Sequence, residues 1–285
     1  MQPSPKISLL LATLGRTDQL KFFLEKVRVQ SYQNFEIVIV DQNADNRLDA
    51  LLASHGGSLA IKHLRCAPGL SKARNVGLKS CDGDIIAFPD DDCWYPPNLL
   101  ARVVRLLNSD YDGVTGRQLD SKDRDSGPRY DRKDGPITLF NVWGRGISSC
   151  IFLKRHAVEA AGEFDETLGV GAGTPYGSGE ETDYLIRVVK GGFRLNYLPD
   201  LFVRHPPSEQ AITSKMLERT YFYGAGMGHV LRKHHYPLWF KVRSLTRPLL
   251  GAALALVRLE PKRARLHWTR CLGRSRGLLA QHPST

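Results

Sequence analysis

Ile85-Ile86-Ala87-Phe88-Pro89-Asp90-Asp91-Asp92-Cys93-Trp94-Tyr95-Pro96-Pro97 passes from a short apolar run straight into three consecutive carboxylates and then into a turn-forming segment. The pattern predicts a buried strand that ends in acid, with Pro89, which has no N–H to donate, placed where the ladder stops. Like charges this close are costly: a pair about 4 Å apart repels by about 4 kcal/mol at an effective dielectric of about 20. A cation must therefore sit among them. A hard divalent ion, Mg²⁺ or Mn²⁺, suits oxygen ligation that leaves coordination positions open for phosphates.

Outward from this stretch, apolar runs at 7–12, 35–40 and 59–64 alternate with helix-like stretches at 18–29 and 48–53. Short, nearly continuous apolar strands alternating with amphipathic helices predict an α/β fold, a mostly parallel sheet with helices on both faces. Ligands then bind beyond the carboxyl ends of the strands. Asp41 follows Ile37-Val38-Ile39-Val40, so a second strand delivers acid to the same rim. Between the two acid ends lies Gly69-Leu70-Ser71-Lys72-Ala73-Arg74-Asn75-Val76-Gly77, a helix start that offers N–H groups and two cations to an anion. It is not a dinucleotide-binding glycine fingerprint. Residues 120–135, dense in charge and glycine without periodicity, predict a mobile surface loop that closes over substrate. After the glycine-rich stretch 169–179, Glu180-Glu181-Thr182-Asp183-Tyr184-Leu185-Ile186-Arg187 opens a helix with acids in its first turn, where the dipole favours them.

The composition, 42% hydrophobic and 24% charged over 285 residues, is that of a globular chain, not a disordered one. Five cysteines with no C-x-x-C pair suggest neither a disulfide framework nor a zinc site, and a reducing cytoplasm fits them. A net charge of +11 points to anionic partners: nucleic acid, phosphorylated substrates or a membrane face. Much of it lies late in the chain, where Lys241, Arg243, Arg247, Arg258, Lys262, Arg263, Arg265, Arg270, Arg274 and Arg276 face the single acid Glu260.

Together, Asp41, the GLSKARNVG helix, the FPDDDCW strand end, AAGEFDE and GEETDYLIR resemble the inverting family 2 glycosyltransferases of the GT-A fold, over roughly Lys6 to His205. The resemblance implies a metal-dependent enzyme with a catalytic domain over 1–207 and a basic helical extension over 208–285. It implies a donor nucleotide bound by Thr13, Arg16 and Asp41, and by Lys72, Arg74 and Asn75 of the helix start. The family's D-x-D signature maps onto Asp90 and Asp92, the first near the ribose and the last on Mn²⁺ or Mg²⁺, with Asp91 as an alternative ribose contact. His205 would complete the metal shell; a histidine at a strand end also has ordinary structural uses. The family's Glu-Asp pair maps onto Glu180 and Glu181, a departure at its second position, so the base is Glu181 or, next, Asp183. The implied partners are a nucleotide sugar and a glycan or lipid-linked glycan, in polysaccharide assembly.

The tail adds an expectation about place. Pro248–Val257 is apolar but far shorter than the about 20 residues needed to span a bilayer, which suggests a core or interfacial segment. With Trp239 and Phe240 inserted and basic residues at an anionic leaflet, it predicts a cytoplasmic protein held peripherally at the inner face of the membrane. A sugar-phosphate nucleotidyltransferase is a competing expectation, weakened by the single glycine of Thr13-Leu14-Gly15-Arg16. A basic nucleic-acid-binding module is another, and it leaves the acids unexplained.

Overall fold

β1 (Ile7–Thr13) and β2 (Phe35–Asp41) are buried almost throughout, β2 at every position, which is why neither alternates polar with apolar. The computed structural model describes residues 4–127, 130–207 and 211–280. The chain divides into two units: Met1–Pro68, Lys72–Phe164 and Tyr184–Ser208 form the first, and Gly69–Ser71, Asp165–Asp183 and Glu209–Thr285 the second. The expected cut after residue 207 separates the chain in sequence. In space, 69–71 and 165–183 group with the tail.

The first unit holds the whole sheet. β3 (Ile61–Arg65), β4 (Ile85–Ala87), β5 (Gly113–Leu119), β6 (Gly135–Pro136), β7 (Ile151–Lys154) and β8 (Leu195–Arg204) complete eight strands in the order β3-β2-β1-β4-β7-β5-β8-β6. β1 lies parallel between β2 and β4, so Thr13 pairs with Asp41 and Ala12 bridges to Asp90. That register brings two acid strand ends and the end of β1 to one rim. One face of the sheet is covered by α1 (Thr17–Arg28), α2 (Asp49–His55) and α4 (Leu99–Leu107), which pack Leu20, Phe23, Leu52, Leu100 and Val103 on Leu9, Leu11, Ile37 and Ile39. On the other face α3 (Leu70–Leu78) lies so close that a Cβ on Gly77 would stand 2.0 Å from Leu10 Cδ1. α5 (Arg155–Ala161) and α6 (Glu180–Lys190) join through the Tyr184 hydroxyl on the Val158 carbonyl, and Tyr184 stacks on Phe164 at 4.1 Å.

β5, β8 and α4 lie outside the elements that the apolar runs predict. β5 buries polar side chains, with Thr115 Oγ1 donating to Arg145 O at 2.6 Å and Gln118 Nε2 to Ser149 Oγ at 2.8 Å. Its pairing with β8 slips at a bulge between Thr115 and Arg117. Within the expected loop over 120–135, three of the described acids have side-chain or backbone donors. Buried Asp120 accepts from the Lys122 and Arg124 amides, Asp125 from Arg117 and Arg132, and Asp131 from Arg145.

At the opposite end of the sheet from the acid rim, Glu36 is 2% exposed. Oε1 accepts from Ser8 Oγ and the Asp82 amide, and Oε2 from Lys6 Nζ at 2.7 Å and Lys62 Nζ at 3.1 Å. Burial alone would raise its pKa, but the hydrogen bonds from Lys6, Ser8, the Asp82 amide and Lys62 outweigh it and bring the carboxyl from 4.5 to about 2.

The second unit is helical: α7 (Ser214–Lys233), α8 (Leu238–Val257) and α9 (Pro261–Leu279). Thr213 caps α7, its Oγ1 accepting from the Met216 amide. α7 and α9 meet backbone to backbone at Gly224, Gly228, Gly273 and Gly277. A Cβ on Gly277 would stand 2.0 Å from Ala225 O, and one on Gly228 2.2 Å from Arg274 O. α8 runs straight through Pro248, where the sequence predicts a new segment. Pro248 has no N–H for the carbonyl four residues back, Ser244 O; Arg274 Nη1 of α9 donates to that oxygen instead, at 2.5 Å. Phe240, expected to insert into a bilayer, turns inward at 7% exposure beside Tyr236. Among the described residues no helix is long and apolar enough to cross a membrane.

Glu36→Gln removes the charge that gathers two lysines and should cost about 2 kcal/mol in urea denaturation. Because the folded pKa lies below the unfolded one, the wild-type contribution is complete above pH 4.5 and fades as pH falls toward about 2. The variant should lack that part of the acid dependence. Arg274→Met leaves the buried Ser244 carbonyl unmet and should cost about 1–3 kcal/mol, read from circular-dichroism melts.

Candidate active site

The three consecutive acids that follow β4 are held by side chains from several elements. The β1–α1 turn supplies Thr13 and Arg16: Thr13 Oγ1 donates to Asp91 Oδ2 at 2.7 Å, and Arg16 Nη1 donates to Asp91 Oδ1 at 2.7 Å and Asp92 Oδ2 at 2.5 Å. Ser148, just before β7, donates to Asp90 at 3.1 Å. Arg74 of α3, buried against the rings of Phe88 and Phe164, holds Nη2 3.8 Å from Asp90 Oδ1. His205, one residue past β8, holds Nε2 3.5 Å from Asp92 Oδ1. The counter-charge that the sequence assigns to a metal ion is thus supplied here by Arg16, Arg74 and His205.

The three carboxylates titrate differently. Burial raises Asp90 to about 6 against the pull of Arg74, with Asp92 and Asp91 pushing the same way as burial. Burial also raises Asp91, outweighing Arg16 and Thr13. For Asp92 burial acts upward too, but the hydrogen bond from His205 and the charge of Arg16 hold it below the usual range. His205 is raised in turn: burial lowers it, and Asp92 overcomes that. Asp92 is therefore the most readily ionised member of a run that burial, with repulsion, would otherwise protonate.

Asp92 and His205 form a donor pair suited to a divalent ion. His205 Nδ1 lies 2.7 Å from Pro206 O, which can only accept, so Nδ1 carries a proton; Nε2, turned to Asp92, carries the second in the imidazolium that Asp92 favours, and losing that second proton would free its lone pair for a metal. Carboxylate oxygen suits Mg²⁺ or Mn²⁺, and an imidazole nitrogen beside it suits a transition metal better than Mg²⁺. Among the described residues no group of three or more His, Cys, Asp or Glu is gathered as a closed metal site.

Asp41 is fully buried and accepts from the amide and side chain of Asn43 and from His63 Nε2 at 3.2 Å. Asn43 Oδ1 also accepts from the Gly15 amide, so the ends of β1 and β2 are laced together. Lys72 is exposed, and among the described residues no ion pair joins it to the three acids. Asn75 is spent on the backbone, its amide donating to Phe164 O at 3.0 Å and accepting from Phe164 N at 2.7 Å. Asn43, His63, Ser126, whose Oγ lies 3.1 Å from His205 Nδ1, and Ser148 were not legible as site residues, since each meets its acid or histidine from outside any motif.

The first turn of α6 belongs to the second unit. Gly169 and Gly179, both at φ +100, shape the approach to it, and a Cβ on Gly169 would stand 3.2 Å from the Glu180 carboxyl carbon. Glu180 is buried and Glu181 partly exposed. Asp183 is fully buried; Lys233 Nζ at 2.7 Å and His234 Nε2 at 2.8 Å share its Oδ1, and Lys233 also reaches Asp165 at 2.6 Å. Asp183 thus anchors α7 to the start of α6. Tyr223 of α7 is raised by burial, opposed by Arg219 on its ring at 4.9 Å, and raised further by Glu180 and Glu181.

The chain is similar to known proteins in sequence and in fold. Residues 8–159 match the profile of Glycosyl transferase family 2. EpsH of Bacillus subtilis is 28% identical over 170 residues, 55% of this chain and 49% of its own length. The pre-mycofactocin glycosyltransferase of Mycobacterium tuberculosis is 25% identical over 72% of this chain and 44% of its own length. The chain thus spans about half the length, or less, of these relatives. Among solved structures, the mannosyltransferase PcManGT of Pyrobaculum calidifontis, in complex with GDP-Man and Mn²⁺, superposes with a TM-score of 0.66 at 14% identity, over 98% of this chain and 88% of that one. S. aureus TarS 1-349 with UDP-GlcNAc gives 0.58 at 16% identity, over 95% and 90%. At these identities the superpositions establish the fold, the GT-A arrangement of sheet and helices. The profile match spans more than half of the 285 residues, and the chain belongs to glycosyl transferase family 2.

Proposed function

We propose that this protein is an inverting glycosyltransferase that moves a sugar from a nucleoside-diphosphate sugar to an acceptor hydroxyl, with Mn²⁺ or Mg²⁺ as cofactor. The observation that carries this is the run Asp90-Asp91-Asp92 at the end of β4, ringed by Thr13, Arg16, Arg74 and His205. Acids and cations interleaved at the carboxyl ends of parallel strands suit a diphosphate flanked by a ribose and a metal. The GDP-Man and Mn²⁺ in the mannosyltransferase structure and the UDP-GlcNAc in TarS support a donor of this class.

Asp92 and His205 would hold the ion, with Asp90 beside them. When bound, the ion supplies Lewis-acid neutralisation of the leaving diphosphate. Asp41 and Thr13 serve the nucleoside, Asp91 its ribose, and Arg16, Arg74 and exposed Lys72 the phosphates. Asn75 acts on the site through the Phe164 backbone that it braces. Glu181 is the base: it takes the acceptor hydroxyl's proton as that oxygen bonds to the anomeric carbon and the bond to the diphosphate oxygen breaks on the opposite face. Asp183, its oxygen shared by Lys233 and His234, positions the helix that carries Glu181, and Glu180 stands beside it in the same turn.

The acceptor in this reading is a glycan carried on a lipid, in cell-surface or exopolysaccharide assembly at the cytoplasmic face of the membrane. The concentration of cation in the tail supports it. In a thermal-shift screen over UDP, GDP, dTDP and CDP with Mn²⁺ or Mg²⁺, one nucleotide should stabilise the protein only together with the ion. Asp92→Ala should abolish that joint effect. Glu181→Gln should keep it and lose transfer by about 10²-fold or more. A fully active Glu181→Gln enzyme would move the base elsewhere, and metal-independent stabilisation by every nucleotide alike would refute the site.

A further inference from the structure

α8 is apolar on both of its faces. Phe240, Ser244, Pro248, Ala252 and Ala255, three or four residues apart, form the buried one. The opposite arc carries Leu238, Trp239, Val242, Leu249, Leu250, Leu256 and Val257, all exposed, from 38% at Leu249 to 80% at Val257. At about 100° per residue these positions sweep about a third of the circumference. A helix that only met water would carry charge there. A continuous apolar face of this size marks a contact with something else.

The charges around it say what. Arg243 and Arg247, one turn apart and both exposed, border the arc, and Arg258, Lys262, Arg263 and Arg265 follow its carboxyl end. From Lys241 to the end of α9 the single acid is Glu260, and Arg263 pairs with it at 3.0 Å. A second copy of this chain docked on the same face would set arginine against arginine, a repulsive arrangement for a self-complementary contact. An anionic bilayer meets both features at once, because apolar side chains enter the acyl boundary while arginines reach the headgroup phosphates.

We infer that α8 lies flat in the interface of an anionic membrane, with Leu238, Trp239, Val242, Leu249, Leu250, Leu256 and Val257 immersed and Arg243 and Arg247 at the phosphates. The inference rests on the lipid-linked acceptor reading for its purpose, since the helix would hold the enzyme where such an acceptor lies. Its physics is independent of donor and metal.

The test is co-sedimentation of the full chain, without nucleotide, with vesicles of phosphatidylethanolamine and phosphatidylglycerol, against vesicles of phosphatidylcholine alone. The wild type should bind the anionic vesicles, more weakly in high salt and on the neutral ones. Leu250→Gln with Leu256→Gln should weaken binding at least about tenfold. Arg243→Gln with Arg247→Gln should weaken it about fivefold per arginine, on anionic vesicles alone. These side chains are exposed, so circular-dichroism melts should match the wild type. A wild type that stays in the supernatant would overturn the inference. So would leucine variants that bind undiminished, or a dimer seen by light scattering that those variants dissolve. The nucleotide-and-metal thermal shift, run on the same variants, should be unchanged. A wild type that binds no vesicles but keeps that shift sinks the membrane face alone, and a wild type that binds vesicles but shows no shift sinks the transferase reading alone.

Discussion

Three carboxylates on consecutive residues repel one another, and the first unit is organised around tolerating that repulsion at the end of β4. Neutralisation comes from elements far apart in sequence: Arg16 from the turn after β1, Arg74 from α3 and His205 from just past β8. Each must reach the same rim, which is possible because β1 is paired in register with both β2 and β4. The repulsion is relieved unequally. Burial, with the neighbouring acids, pushes Asp90 to about 6, while Asp92, gripped by His205 and Arg16, is held below the usual carboxylate range. One site thereby holds carboxyls of unlike proton affinity two residues apart.

Acidity in the chain is divided between structure and chemistry by how many donors each carboxylate has already met. Glu36 and Asp41 lie on one strand, five residues apart, and serve opposite ends of it. Glu36 gathers Lys6, Lys62, Ser8 and an amide and closes the amino end of the sheet. Asp41 fixes the loop that follows its strand and remains on the acid rim. Asp183 is structural in the same way, its oxygen shared by Lys233 and His234.

The tail applies the same logic to cations. Its arginines are not one solvated population: Arg274 turns inward to meet the carbonyl that Pro248 leaves unpaired, and burial with the nearby Arg270 and Arg247 brings its pKa down to about 10. Arg243 and Arg247 remain at the surface beside exposed leucines. Glycines at 224, 228, 273 and 277 let α7 and α9 approach to backbone contact, which explains a small-residue spacing that would otherwise suggest a missing neighbour.

Much of the fold and the outline of the site were legible in the sequence, because continuous apolar runs followed at once by acid leave few alternatives to buried strands with reactive ends. The strands at β1, β2 and β4, the helix start carrying Arg74, and the acids at 41, 90–92 and 180–183 all follow from local pattern. β5 and β8 did not, since their buried Thr115 and Gln118 are satisfied by residues about thirty positions away that no local pattern announces. The charged segment after β5 read as loose for the same reason, its partners Arg117 and Arg145 lying outside it or at a distance. Sequence alone determined which residue types gather at the strand ends. Tertiary structure decided which of those charges are already spent, because the state of a carboxylate or a guanidinium is set by the donors, acceptors and water around it, and these come from the whole chain.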